Sequence, residues 1–188
     1  MENTLTENRP EMEFKPGASV VYALVGKCNI VSIETRNIGQ ETVRFYKLEI
    51  QKSPLSRSNK KEPAILLPVT TAKNRGLRSP MDMVEAENVL KIFESREYFF
   101  PIEKPWSAVH HDLEKCIEKE GSIGLAKVAS YLHVLKQKQI VPSTEVLRFS
   151  ENVSKILFRE LSEVFQKPMK ILEDEANKLL RHKLVPDN

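Results

Sequence analysis

This chain lacks the features of several large classes of protein. Its 188 residues include only two cysteines, Cys28 and Cys116, and a single tryptophan. The two cysteines are far apart in the sequence and form no paired motif, which suits a reduced cytoplasm where cysteine packs as a small hydrophobe. No apolar run approaches the roughly eighteen residues that are needed to span a bilayer. We therefore expect a cytoplasmic protein with neither a disulfide framework nor a membrane span.

The motifs of common enzyme classes are also missing. The sequence contains no glycine-rich phosphate loop, no GxSxG motif and no HExxH motif. Acidic residues are scattered, and no two of them form a candidate acid–base pair. Adjacent histidines point to different sides of a helix, and no spacing among the candidate ligands matches a structural zinc site; these candidates are His110, His111, His133 and Cys116. The sequence predicts a protein that is not an enzyme and that binds neither a metal nor another cofactor.

Charge is distributed unevenly along the chain. The formal net charge is +3, which is too small to diagnose a nucleic-acid-binding protein. Between Arg44 and Arg78, however, there are nine basic residues and two acidic ones, which gives this segment a charge of +7. A local field of this kind favours an acidic partner or phosphate groups. The alternative interpretation is a solvated loop surface without a partner.

The first part of the chain has the pattern of short strands. Residues 1–13 are polar and acidic, and we predict that they form a disordered leader. Four or five short strands are predicted between residues 14 and 80, with a polar, lysine-rich loop over residues 52–62 and a strand that ends at Pro68. Short strands at this spacing predict a small antiparallel β-barrel of the SH3-like or Tudor-like kind.

The second part of the chain, residues 81–188, has helical periodicity. Ser79-Pro80 is predicted to begin the first helix, because proline suits the first helical position. Gly121-Ser122 is predicted to interrupt a helical stretch, and Ser143 to cap the next helix. Pro168 is predicted to begin or kink the last helix. The expected fold class is therefore α+β, with an N-terminal barrel followed by an all-α bundle.

The stretch Pro105-Trp106-Ser107 lies between an irregular linker and the helices. Ser107 is predicted to be a helix N-cap, which places Trp106 at the beginning of that helix. A large flat ring at this position has two interpretations. Either it is half-buried and packs the linker against the bundle, or it faces outward and can act as a wedge. The residues alone favour the first interpretation.

Several stretches resemble the CarD/CdnL family of bacterial transcription regulators. That family shares its N-terminal module with the RNA-polymerase-interacting domain of transcription-repair coupling factor. The opening FKPGASVVY, residues 14–22, is similar to the family's F-x-x-G-D-x-V-V-Y, and IETRNI, residues 33–38, is similar to its I-E-x-[RK]-x-I hairpin. Gly76-Leu77-Arg78 is similar to a G-[VL]-R strand. Trp106-Ser107 and the segments 113–115, 127–129 and 143–145 are similar to the family's helical domain.

The resemblance, which covers roughly residues 14–166, implies a polymerase-binding function for residues 14–80. Family members dock this module on the β subunit of RNA polymerase by strand addition and a charge pair. Arg36 matches a basic residue of that contact, while its alternative role is that of a solvated hairpin residue. Leu66 stands where some members have a basic residue, and Lys60 or Lys61 is the candidate replacement. The predicted polymerase-binding residues are Glu34, Arg36, Ile38, Lys60 and Lys61.

The resemblance also implies that residues 81–188 contact promoter DNA near the upstream edge of the melted bubble. Trp106 matches the family's wedge tryptophan, which inserts into a distorted minor groove. Nearby lysines contact phosphates without reading the base sequence. The predicted DNA-binding residues are Trp106, Lys104, Lys115, Lys119 and Lys127.

The expected function is that of a monomeric transcription regulator that binds the RNA polymerase β subunit and stabilises the open promoter complex. Its contact with promoter DNA is expected to be independent of base sequence. Two alternatives remain open from the sequence. The first is a protein-binding adaptor without DNA contact. The second is a small β-barrel RNA-binding protein with a helical oligomerisation domain.

Overall fold

A computed structural model of the chain describes residues 14–51, 63–95, 97–138 and 143–181. The predicted leader, residues 1–13, lies outside the described residues, as do Lys60 and Lys61. The described chain is α+β, with strands first and helices second. The strands are β1 (Ser19–Tyr22), β2 (Gly26–Ile38), β3 (Glu41–Ile50), β4 (Ile65–Pro68) and β5 (Leu77–Arg78), and the helices are α1 (Met83–Glu94), α2 (Trp106–Lys138), α3 (Thr144–Phe165) and α4 (Met169–Leu180).

The five strands form one antiparallel sheet in the order β4-β3-β2-β1-β5. Strands β2 and β3 form a long hairpin, and Gly39 in its turn has a φ of +63°, a conformation that favours glycine. The sheet is open, since β4 and β5 are its two edges. The closed barrel that the sequence predicts is therefore not observed among the described residues. Strand β5 has only two residues and is paired with β1 alone, so it is too short to close the sheet on itself.

The β2–β3 hairpin is much longer than its neighbours. Strand β1 pairs only with residues 26–29 of β2, and β4 pairs only with residues 45–48 of β3. A register shift between Ile30 and Ser32 marks a bulge just beyond the residues of β2 that pair with β1. Residues 32–44 extend beyond both neighbouring strands, and we call them the hairpin arm. Within the part of the chain that the structure describes, the outer edges of this arm are not paired with another strand.

Two hydrophobic clusters meet at β1. One cluster belongs to the sheet and includes Val20, Ile30 and Tyr46, while the other belongs to the four helices and includes Val21. Successive side chains of a strand point to opposite faces. Val20 and Val21 are both fully buried because β1 lies between the sheet cluster on one side and the helices on the other.

Several predicted boundaries are confirmed. Ser143 is the N-cap of α3, and its Oγ accepts a hydrogen bond of 3.3 Å from the backbone N–H of Val146. Helix α2 bends at Gly121, where φ is +59° and ψ is −125°, so the predicted interruption is a kink. Pro68 is the last residue of β4, and Pro168 immediately precedes α4.

Two predicted helix starts are wrong. The first helix begins at Met83 rather than near Ser79, because the carboxylate of Asp82 caps it by accepting a 2.8 Å hydrogen bond from the N–H of Glu85. Helix α2 begins at Trp106, so Ser107 lies inside the first turn and is not the N-cap. That turn begins early because the carbonyl of Pro105 already accepts a hydrogen bond from the third residue after it.

Candidate functional site

Trp106 is half-buried at the first turn of α2. Its ring centroid lies 4.9 Å from that of His110 and 5.4 Å from that of Phe149 on α3. The Phe149 ring meets the indole edge to face at 70°, a favourable aromatic geometry. The rings of His110 and Phe149 also lie 4.9 Å apart. We call Trp106, His110 and Phe149 the tryptophan cluster, and it packs against the helical core.

One side of the tryptophan cluster lines a surface groove of about 590 Å³. Polar side chains complete the groove, including those of His111, Arg148 and Asn152. The two interpretations of Trp106 therefore each describe part of its position. The ring packs between the helices, as the first interpretation requires, and it also reaches the surface, as the second requires.

Lys115 and Lys119 lie on a different side of α2 from Trp106. Both side chains are exposed, and the helix is regular from Trp106 up to the kink at Gly121. A rotation of about 100° per residue places Lys115 about 180° and Lys119 about 220° around the helix axis from Trp106. The structure therefore does not bring these two lysines beside the ring, and a nucleic acid in contact with all three residues must reach around α2.

The other two predicted lysines differ in their surroundings. Lys104 is exposed in the linker, two residues before Trp106. Lys127 lies beyond the kink, where its Nζ is 2.6 Å from Oε2 of Glu120 and 5.5 Å from the ring centroid of Phe99. The hydrogen bond to Glu120 raises the pKa of Lys127. Since Lys127 is engaged within the protein, Lys104 is the predicted lysine that is placed best to act together with Trp106.

Helix α3 brings residues beside Trp106 that were not singled out as functional from the sequence. From the sequence, Phe149, Arg148 and Asn152 belong only to a region of helical periodicity, and none of them carried a functional signal. Arg148 is exposed and makes no ion pair with the part of the chain that the structure describes. These residues are more than forty positions away from Trp106, so only the packing of α3 against α2 reveals that they are neighbours.

Three of the predicted polymerase-binding residues share one face of the hairpin arm. Glu34, Arg36 and Ile38 alternate along β2, so their side chains point to the same side of the sheet. Arg36 Nη2 donates to Glu34 Oε2 at 2.9 Å, and Lys47 Nζ donates to Glu34 Oε1 at 3.0 Å. The hydrogen bond from Arg36, followed by that from Lys47, lowers the pKa of Glu34. Ile38 adds an exposed apolar side chain at the tip of the arm.

Lys47 lies directly across from Leu66. The two residues are register partners in the antiparallel β3–β4 pair, so their side chains lie on the same face of the sheet. A cation is therefore present beside the position where the resemblance leads us to expect a basic residue. Lys60 and Lys61, the replacements proposed from the sequence, lie outside the described residues. The strand register identified Lys47, which the sequence pattern alone did not.

Comparison with known proteins does not identify the chain, since no protein-family model and no curated protein matches it. Among the described helices, none has the length and apolar character needed to cross a membrane. In residues 14–51, 63–95, 97–138 and 143–181, no group of three or more histidine, cysteine or acidic side chains is arranged to hold a metal ion. The function is therefore argued from the motif resemblance and from the geometry of the arm and the tryptophan cluster.

Proposed function

We propose that this protein is a transcription regulator of the CarD/CdnL type, which binds the β subunit of RNA polymerase and stabilises the open promoter complex. The single observation that carries the proposal is the position of Trp106. The only tryptophan of the chain lies at the start of a helix, is supported from behind by Phe149, and lines a surface groove. A ring that is supported from behind and open to the surface on one side can contact an unstacked base step.

In this proposal residues 14–80 are the polymerase-binding module, with a Tudor-like fold. The five-stranded sheet with its own hydrophobic cluster supports a separate module. The hairpin arm offers a strand edge to which a polymerase strand can be added. Arg36 and Lys47 orient the partner, because they place two positive charges on the face that also carries Ile38.

The helical residues from 81 onward are the DNA-contacting part. An apolar ring inserted beside an unstacked base step obstructs restacking, and unstacking a step costs a few kcal/mol. A ring that binds only the distorted duplex shifts the population toward the open complex. Arg148, which lines the same groove as the ring, and the exposed Lys104, two residues before it, contact phosphates without reading the sequence. In this proposal the protein acts as a cytoplasmic monomer. It needs no cofactor, because the proposed mechanism includes no chemical step.

The lifetime of the open complex tests the wedge. We expect Trp106→Ala to shorten this lifetime by about tenfold in a reconstituted transcription assay with the cognate polymerase, which corresponds to about 1.4 kcal/mol. Tyr98→Ala is the matched control, because Tyr98 is an exposed aromatic residue of the same linker region. An unchanged lifetime with Trp106→Ala contradicts the wedge and favours an adaptor without DNA contact.

Binding to the isolated β-subunit lobe tests the arm. Arg36→Glu reverses a charge on the proposed contact face and is expected to weaken binding at least tenfold with an unchanged circular dichroism spectrum. Lys15→Glu is the control, because Lys15 is exposed in the chain that precedes β1 and is not part of the arm. If the wild-type protein binds RNA and not the lobe, the RNA-binding alternative replaces the proposal.

A further inference from the structure

One side of α3 makes polar contacts with the turn after β1, the residue that follows β3 and the start of β2. Asn152 Nδ2 donates a 3.0 Å hydrogen bond to the carbonyl of Leu24, and Arg159 Nη1 donates one of 3.1 Å to the carbonyl of Gln51. Near the end of the helix, Glu163 pairs with Lys27 at 2.5 Å. These positions of α3 are seven and four residues apart, so they lie on one side of the helix.

The strongest of these contacts is a buried ion pair. Glu160 is 4% exposed, and its carboxylate receives both terminal nitrogens of Arg78, with Nη1 to Oε2 at 2.9 Å and Nη2 to Oε1 at 2.5 Å. Oε2 also accepts a hydrogen bond of 3.1 Å from the backbone N–H of Met81. Two-point binding of this kind fixes orientation as well as distance. Arg78 lies on β5, Met81 precedes α1, and Glu160 lies on α3, so a single carboxylate joins three parts of the fold.

The kink of α2 makes room for the same arginine. A Cβ atom at Gly121 would lie 2.8 Å from Cδ of Arg78, which is closer than non-bonded carbon atoms approach one another. Gly121 also has a positive φ, so a larger residue is excluded both by space and by backbone conformation. Helix α2, which begins at Trp106, is therefore fitted around the Arg78 side chain at its central kink.

The opposite end of α3 supports the tryptophan. Phe149 lies three residues before Asn152 and eleven before Glu160, a distance of about 16 Å along a helix that rises 1.5 Å per residue. Its ring contacts Trp106 with a centroid distance of 5.4 Å. A single helix thus connects the buried ion pair at the sheet with the tryptophan cluster.

We propose that α3 is a rigid strut and that Arg78 and Glu160 form a clamp, and that together they hold Trp106 at a fixed position relative to the hairpin arm. Arg78, Glu160 and Phe149 are positioning residues. The importance of this arrangement rests on the proposed function, in which the arm is bound to polymerase while the ring contacts DNA. A rigid connection keeps the ring at a high effective concentration at its target, whereas a flexible one dilutes it over many orientations.

The orientation of the sheet relative to the helices can be measured without any functional assay. Backbone residual dipolar couplings of the full-length wild-type protein are expected to fit a single alignment tensor for both parts. In Glu160→Gln the negative charge of the clamp is removed while Arg78 stays positive, and the two parts are expected to require different tensors. Since a buried arginine without its partner can unfold the protein, the double variant Arg78→Met/Glu160→Leu provides a second, neutral way to remove the clamp.

A second ion pair at the same interface, with a more exposed carboxylate, is the matched control. Lys27 and Glu163 have side chains that are 19% and 43% exposed, so the double variant Lys27→Ala/Glu163→Ala removes a contact of little strength. This variant is expected to keep the single tensor of the wild-type protein. If the folded clamp variants also keep a single tensor, the clamp does not hold the orientation and the inference is overturned.

The transcription assay then separates this inference from the proposed function. The clamp variants are expected to shorten the open-complex lifetime about fivefold or more, while their affinity for the isolated β lobe stays within about twofold of wild type. If Trp106→Ala shortens the lifetime but the loosened clamp variants do not, the positioning role is overturned and the wedge stands. If neither change affects the lifetime, the proposed function fails. The dipolar couplings then still decide, independently, whether the clamp holds the orientation.

Discussion

The hairpin arm and the tryptophan cluster are built in opposite ways. On the arm, Glu34, Arg36 and Ile38 project from a strand pair and make their contacts at the surface. In the tryptophan cluster, Trp106 and Phe149 pack on the helical core and reach the surface only on one side. Residues of the arm can therefore change without cost to the core, whereas residues of the cluster contribute to stability and to the proposed contact together.

This difference determines how each region must be tested. A loss of function after a change on the arm indicates a lost contact, because the fold does not depend on an exposed ion pair. The same loss after a change in the tryptophan cluster has two explanations, since removing a packed ring also removes burial. Each prediction below therefore measures stability or local structure separately from binding.

The rate of thiol modification is expected to show the largest effect of folding, because each hydrophobic cluster contains one of the two cysteines. Burial raises the pKa of both the Cys28 and the Cys116 thiol to about 11. The reactive species is the thiolate, so at pH 8 the folded protein should react with a thiol reagent at least about a hundredfold more slowly than the denatured protein. The rate is measured as a function of pH and is expected to rise about tenfold per pH unit below 11.

Variants that keep only one of the two cysteines show which thiol each rate of modification belongs to. Cys116 is half-buried and Cys28 is fully buried, so the thiol that remains in Cys28→Ser should react faster than the one that remains in Cys116→Ser. In denaturant the two rates should become equal. A native Cys28 that reacts as fast as Cys116 would show that the sheet cluster opens readily, and the predicted order of the two rates would be wrong.

Loss of the tryptophan ring is expected to have the next largest effect. Replacing a fully buried tryptophan by alanine costs about 3–5 kcal/mol, so Trp106→Ala at a half-buried site should lower the free energy of unfolding by about 2 kcal/mol. Urea denaturation followed by circular dichroism measures this change. Trp106→Phe keeps an aromatic contact with Phe149 and should cost about half as much. A cost below about 0.5 kcal/mol would mean that the ring is not part of the core.

Local signals in the sequence predicted much of the fold. The α+β class and the order of strands before helices follow from periodicity, which requires no knowledge of distant contacts. The cap at Ser143, the kink at Gly121 and the strand end at Pro68 depend on the chemistry of one or two residues. The predicted helix starts at Ser79 and Ser107 were wrong. A nearby carboxylate or carbonyl group can begin the helix instead, and sequence patterns do not show which of the neighbouring groups will do so.

The parts that escaped prediction depend on long-range packing. Arg78 and Glu160 are 82 residues apart, and neither pattern nor composition connects them. The open sheet follows from the unequal lengths of its strands, which periodicity does not determine to within one or two residues. The separation of Lys115 from Trp106 could be calculated from helical rotation, but only once the helix is known to be regular from Trp106 onward.

The titration of Glu34 tests whether the surface contacts of the arm exist in solution. Its pKa is lowered by Arg36 first and by Lys47 second, so carboxyl NMR should find a value below the usual one of about 4.3. Because the folded-state pKa is the lower one, any stabilisation is present above the unfolded value and is lost as the pH falls through the folded value. Arg36→Ala should raise the Glu34 pKa more than Lys47→Ala does, while Lys15→Ala should leave it unchanged. An unaltered titration in Arg36→Ala would mean that the pair is not formed.

The smallest expected effect is the stability change of Arg36→Ala. The Arg36 side chain is 52% exposed, and its partner Glu34 keeps the second hydrogen bond from Lys47 after the substitution. Exposed pairs contribute little, so the free energy of unfolding should change by less than about 0.5 kcal/mol, measured by the same urea denaturation as Trp106→Ala. A loss above about 1 kcal/mol would make Arg36 part of the structure of the sheet, and the arm would no longer differ from the tryptophan cluster. A small loss combined with weaker binding to the polymerase lobe requires that the arginine acts on a partner, because the folded protein does not need it.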